Sequence, residues 1–161
     1  SLSELLESDE AQRQAHAKAI RKRIHELNET LGIRFPVYLL FTKCDLLAGF
    51  MDYFDDLDRE SRSQIWGMTF PLTENANSSP VAQFQSEFKL LEERLQGQLI
   101  NKLERERNSE RRDQIYTFPQ QFATLKPILT RFSEEIFQPT RYEQQAMLRG
   151  IYFTSATQEG S

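Results

Sequence analysis

Four consecutive residues, Thr42-Lys43-Cys44-Asp45, interrupt the apolar run "FPVYLLFTKCDLL" and set a hydroxyl, an ammonium, a thiol and a carboxylate side by side. A carboxylate in a loop that leaves a strand can accept two N–H groups from one planar ligand edge, a charge-assisted bidentate pair. Guanine offers such an edge through its ring N1–H and exocyclic amino group; adenine does not. The aliphatic stem of Lys43 can lie over a base face while its ammonium stays hydrated. The Thr42 hydroxyl can tie the loop to its neighbours, and Cys44 needs no role. A plainer reading makes the same residues a strand-to-helix turn in which Asp45 caps the following helix. The residues alone leave both readings open.

The four-residue loop resembles the guanine-specificity loop of GTPases, usually Asn-Lys-x-Asp, with Thr42 in place of the carboxamide. A second stretch, "FTSAT" at residues 153–157, is similar to the segment after the last GTPase strand, where a backbone N–H meets the guanine carbonyl. There Ser155, Ala156 and Thr157 are the candidates, Ala156 because a small side chain leaves room for a base. The match gains force only in combination. If the strands at 37–41 and 151–153 are parallel neighbours, ~4.8 Å apart, Asp45 and Ala156 meet at one rim of the sheet.

The elements that must hold these loops follow from periodicity. Ile20, Ile24, Leu27 and Leu31 recur at helical steps, so the first 31 residues read as helix, stopped by Gly32. Val37 to Phe41 read as a strand buried on both faces, with Pro36 near its start. Leu46, Leu47, Phe50, Phe54 and Leu57 keep helical spacing, and "QIWGMTFPL" is either a short strand or an extended packing segment. Residues 73–80 are a loop by composition. A helix is expected from about Val81 to Arg107, striped by Phe84, Phe88, Leu91, Leu95 and Leu99, with a charged end in water. A further helix starts near Pro119, is kinked or restarted at Pro127, and carries Phe122, Leu125, Leu129, Phe132 and Ile136 inward. Ile151 to Phe153 form a brief last strand. The expected fold class is α/β, a P-loop-GTPase-like parallel-sheet fragment with a large helical elaboration. Residues 1–161 make a single domain or fragment with a helical insertion at about 58–149.

Composition narrows the function classes. The chain has 161 residues, 39% hydrophobic and 27% charged, which suits one globular domain. A net charge of −4 gives no general attraction to nucleic acid or anionic lipid. One cysteine excludes an internal disulfide. No apolar run approaches the ~20 residues that span a bilayer. The chain opens inside a helical pattern and reads as a piece of a larger protein. Its acidic cluster, Asp52, Asp55, Asp56 and Asp58, places Phe54 where an EF-hand needs an oxygen, so a solvated face is the better reading. His16 and His25 lack a ligand set, and Trp66 reads as a packing anchor. No G-x-x-x-x-G-K-[ST] motif is present, so this chain carries at most the base-reading half of a nucleotide site and by itself is expected to be inactive as an NTPase.

The runs "PVYLLFTKCDLLAGFMDYFDDLDRESRSQIWGMTFP" and "LRGIYFTSATQEG", with "FPQQFATLKPILTRFSEEIF" between them, resemble the IcmF/TssM family of bacterial type VI secretion. The resemblance covers essentially the whole chain. It implies an inner-membrane core component with membrane-spanning helices outside this chain, a GTPase-like domain on the cytoplasmic face and a large periplasmic part. A Walker A segment would precede the matched region, and Thr42 is usual in the family. The residues carried over are Thr42, Lys43 and Asp45 in one loop and Ser155, Ala156 and Thr157 in the other, as nucleotide base-binding candidates. GTP or ATP with Mg²⁺ would serve the complete protein, with none tightly bound to this chain. The implied partners are membrane-complex and baseplate proteins, not nucleic acid. The alternative implied function is a non-catalytic scaffold that docks those proteins.

Overall fold

The computed structural model describes residues 1–33, 35–54, 66–69, 80–137 and 147–154. Helix α1 (Leu2–Glu7) and helix α2 (Glu10–Leu31) come first, followed by strand β1 (Pro36–Phe41), a 3-10 turn (Cys44–Leu46) and the short helix α3 (Phe50–Tyr53). Strand β2 (Trp66–Thr69) precedes three helices, α4 (Pro80–Arg105), α5 (Ser109–Ala123) and α6 (Leu125–Phe137), and strand β3 (Met147–Phe153) closes the order.

The break in the first helical stretch has a local cause. Asp9 and Gln12 form a reciprocal capping box, with Gln12 N–H donating to the Asp9 carboxylate at 2.8 Å and Asp9 N–H donating to the Gln12 side chain at 3.0 Å. A new helix therefore starts at Glu10 instead of continuing from α1. It ends where Gly32, at φ 65°, donates its N–H to the Asn28 carbonyl at 2.9 Å. Asn108 caps the start of α5 from one side only, its side chain accepting from Glu110 N–H at 3.0 Å and Arg111 N–H at 3.1 Å. Pro119 lies inside α5, not at a helix start, and the chain restarts at Leu125 after Thr124.

The sheet has three strands in the order β1-β3-β2. β1 and β3 are parallel, with Leu39 opposite Ile151 and Phe41 opposite Phe153. β2 runs antiparallel to β3, with Gly67 opposite Tyr152. Helices α4, α5 and α6 pack on one another, α2 packs on α6, and α3 packs on α5. An aromatic seam joins this helical layer to the sheet: Phe88 stacks on Phe122 at 4.7 Å, Phe122 meets Phe153 edge-on at 5.4 Å, and Phe153 stacks on Phe41 at 5.6 Å. The stripes expected on α4 and α6 are buried without exception, from Phe84 to Leu99 and from Leu125 to Ile136. The Tyr53 hydroxyl donates to the Leu95 carbonyl at 2.7 Å, tying α3 to α4 inside the core.

Two expectations are corrected here. The chain is not a P-loop-GTPase-like α/β fold; most of the described residues are helical, and the only parallel pairing among them is that of β1 with β3. The physical reason is that the long apolar stripes between the two parallel strands are spent on helix-on-helix packing, not on crossovers between further strands. Nor is β1 buried on both faces. Leu39 and Phe41 point inward, whereas Tyr38 and Leu40 are 48% and 52% exposed, the alternation of a one-sided strand. On that outer face the Tyr152 ring lies across Gly150, where a Cβ would come within 2.8 Å of it, and stacks on Tyr38 at 6.1 Å. Among the described residues no helix is long and apolar enough to cross a membrane. The composition-based loop at 73–79 and the residues Leu57, Asp55, Asp56 and Asp58 lie outside the described residues.

Gly49 provides a test of the fold. Its φ of 83° is left-handed, and a Cβ there would stand 2.6 Å from the Gln114 carbonyl oxygen and 3.1 Å from Phe118 Cβ. The backbone penalty alone is about 1–2 kcal/mol for a residue with a Cβ, and the steric conflict with α5 adds to it. Gly49→Ala is therefore expected to lower stability by about 2 kcal/mol or more, read as a shift of the urea midpoint at unchanged slope. An unaltered midpoint would refute this account of how α3 seats on α5.

Candidate functional site

Where β1 ends, the chain makes a tight turn fixed almost wholly by backbone hydrogen bonds. The Phe41 carbonyl accepts from Thr154 N–H at 2.9 Å, and Cys44 N–H donates to the Thr154 carbonyl at 3.0 Å. The Thr42 carbonyl accepts from Leu2 N–H at 2.9 Å, so α1 is pinned to the same rim. Lys43 adopts φ 58°, the left-handed conformation, which reverses the chain before the 3-10 turn. Leu46 N–H then donates to the Lys43 carbonyl at 3.2 Å and Leu47 N–H to the Cys44 carbonyl at 3.0 Å.

This turn sorts the four side chains. Thr42 and Lys43 are exposed, Asp45 is half-buried, and Cys44 points into the core at 2% exposure. The Cys44 thiol donates to the Phe41 carbonyl at 3.1 Å. Burial pushes that thiol up to about 12, with the nearby Asp45 charge adding to the rise, while the Thr154 hydrogen bond opposes it. A group with a raised thiol pKa stays neutral through the physiological range, so Cys44 is no nucleophile here. Beneath the turn, Leu2, Leu47, Phe50, Phe118, Phe122 and Phe153 close round the sulfur and leave no space for a water. Any ligand of the rim would have to lie above Thr42, Lys43 and Asp45. The expected capping of the next helix by Asp45 is not what starts α3, whose N-cap is Gly49 with no side-chain bond.

The structure brings the two loops of interest to a common root, because Thr154 is bonded to both Phe41 and Cys44. Ser155, Ala156 and Thr157 themselves lie outside the described residues. Thr42, Lys43 and Asp45 therefore have a place, at the C-terminal rim of the parallel pair, while their proposed counterparts have only a starting point.

A concavity elsewhere was not signalled by any motif. It is a groove of about 460 Å³ between the first turns of α2 and the face of α6, lined among others by Glu10, Arg13, Pro127, Ile128, Arg131 and Glu134. Arg131 and Glu10 form an ion pair across it. Arg13 closes the C-terminal end of α1, donating from Nε to the Leu5 carbonyl at 2.8 Å. Further along, Arg21 donates to the Glu135 carbonyl at 3.1 Å, and His16 packs edge-on against Phe132 at 5.7 Å. The charged residues at the start of α2 carry no signal for this groove, since mixed charges at helical spacing look the same whether or not a second helix lies alongside.

The whole chain, residues 1–161, matches the family described as the IcmF-related N-terminal domain. It is 54% identical over 162 aligned positions to the type VI secretion system component TssM1 of Pseudomonas aeruginosa, an alignment covering 100% of this chain and 15% of that protein. No solved structure matches it. The chain thus spans about 15% of the length of that relative. This chain belongs to the IcmF-related family and corresponds to its N-terminal domain.

Proposed function

We propose that this chain is a non-catalytic docking module of a TssM-like type VI secretion component, holding protein partners of that system at the cytoplasmic face of the inner membrane. The groove between α2 and α6 carries this reading. Its apolar part, Pro127, Ile128 and Phe132, is rimmed by both signs of charge, Glu10, Arg13, Arg131, Glu134 and Glu135. Apolar centres with polar, charged rims are how protein interfaces are built. The occupant is an amphipathic segment of a membrane-complex or baseplate protein carrying charges of both signs. The 54% identity to a type VI secretion component supports that choice of partner.

The test exploits the Arg131–Glu10 pair. The double variant Glu10→Arg with Arg131→Glu keeps an intramolecular pair and reverses the rim. In the full-length protein it should retain its circular dichroism and melting behaviour. It should also bind at least one purified membrane-complex or baseplate protein of its own system at least ~10-fold more weakly, by the weight of an interfacial charge reversal. Binding of all of them within twofold of the unmodified protein would overturn the reading.

A second reading is favoured by the bonds that tie Thr154 to Phe41 and Cys44, which start the 155–157 segment beside the Thr42–Asp45 turn. In it the rim reads a nucleotide base: Asp45 accepts from two N–H donors of guanine, Lys43 covers the base face, and Ser155, Ala156 and Thr157 complete the pocket. The phosphates and Mg²⁺ of GTP or ATP would be held by residues outside this chain, which has no glycine-rich phosphate loop. Titrating GTP and ATP with Mg²⁺ into the full-length protein tests it. Asp45→Ala should weaken GTP at least ~10-fold, the scale of a lost charge-assisted bidentate pair. Nucleotide that binds equally well to the variant, or not at all to the unmodified protein, would end this second reading.

A further inference from the structure

Arg13 serves two places at once. It lines the groove between α2 and α6, yet its guanidinium bonds to the helix before it. Nε donates to the Leu5 carbonyl at 2.8 Å and Nη2 to the Leu6 carbonyl at 3.4 Å. These carbonyls belong to the last turn of α1, where a helix has acceptors without partners of its own. A cation there also suits the negative end of the helix. Arg13 is only half-buried, so its charge stays within reach of whatever occupies the groove.

Helix α1 depends on such an outside hold. Its six residues are far fewer than the ~12–15 at which a helix begins to form alone in water. The joint that follows is extended, with ψ of 149° at Ser8 and 173° at Asp9. Because α2 is capped by its own Asp9–Gln12 box, it keeps its start whether or not α1 stays in place. The other end of α1 sits at the rim. Leu2 N–H donates to the Thr42 carbonyl at 2.9 Å, and the Leu2 side chain lies with Leu47 and Phe50 against Cys44. One short helix therefore joins Arg13 in the groove to the Thr42–Asp45 turn.

The acceptors that hold Arg13 are neutral. A carboxylate bonds a guanidinium about twice as strongly and can take it in a two-pronged fork. Glu10, three residues away on the same helix, is engaged by Arg131; the competing carboxylate is one that the occupant brings. We infer that Arg13 is a latch linking the groove to the rim: a carboxylate-bearing partner segment in the groove takes the guanidinium, α1 lets go of the Thr42 carbonyl, and the Thr42–Asp45 turn loosens. The trigger rests on the docking reading of the groove, whereas the linkage rests on Arg13 and α1.

Amide hydrogen exchange in the full-length protein tests both parts. Arg13→Gln should speed exchange at Leu5 in α1 and at Leu47 in the turn at least ~10-fold, the weight of one lost charge-assisted bond. The Leu95 and Ile151 amides of the core should stay slow. Unchanged exchange at Leu47 would overturn the linkage, and so would equal acceleration at all four amides, the mark of global unfolding. Saturating the unmodified protein with the membrane-complex or baseplate protein whose binding the Glu10/Arg131 reversal weakens should reproduce the acceleration. Binding without acceleration would overturn the trigger. If none of those proteins binds, the docking reading falls and takes the trigger with it, while Arg13→Gln still decides the linkage.

Discussion

The parallel pairing of β1 with β3 joins segments roughly a hundred residues apart, and closing so long a loop costs entropy that grows only slowly with its length. What repays that cost is aromatic. Phe41 and Phe153, opposite one another in the register, put their rings on the same face, where Phe122 and Phe132 meet them from α5 and α6. Remove that face and the helical layer has no sheet to sit on. The inner faces of the strands and the stripes of the helices are therefore one apolar body, and the position of every loop at the rim follows from it.

The rim turn illustrates how little freedom remains. Its backbone is fixed by Thr154 on one side and by Leu2 on the other, and its third side chain is sunk into the core. Only Thr42, Lys43 and, in part, Asp45 are left to meet anything outside. The α2–α6 groove is different in kind: it exists because two helices with bulky and charged side chains pack alongside each other and leave a channel between their N-terminal and middle turns. The rim comes from strand topology, the groove from helix packing.

That difference decides what was legible beforehand. The stripes Phe84–Leu99 and Phe122–Ile136 are periodic over several turns, and such long signals survive any tertiary arrangement. Strand β1 was legible as a strand but not as a one-sided one, because Tyr38 and Leu40 are as apolar as the buried Leu39 and Phe41. The antiparallel run of β2 left no trace in four residues, and the larger fold class was misjudged because two strands and their loops resemble a nucleotide fold that the intervening helices do not build. Pro119 suggests a helix start by its type alone, whereas the Asn108 cap, eleven residues earlier, sets the start. The groove could not be read at all, since Glu10 and Arg131 are 121 positions apart.

Cys44 is the single cysteine of the chain, and its sulfur sits under the rim turn with its proton held fast. A thiol-reactive label can reach it only when the turn lifts away from Phe50 and Phe118. The molecule thus contains a native clock for breathing at this rim: the labelling rate, extrapolated across reagent concentration, gives the free energy of that opening without any substitution.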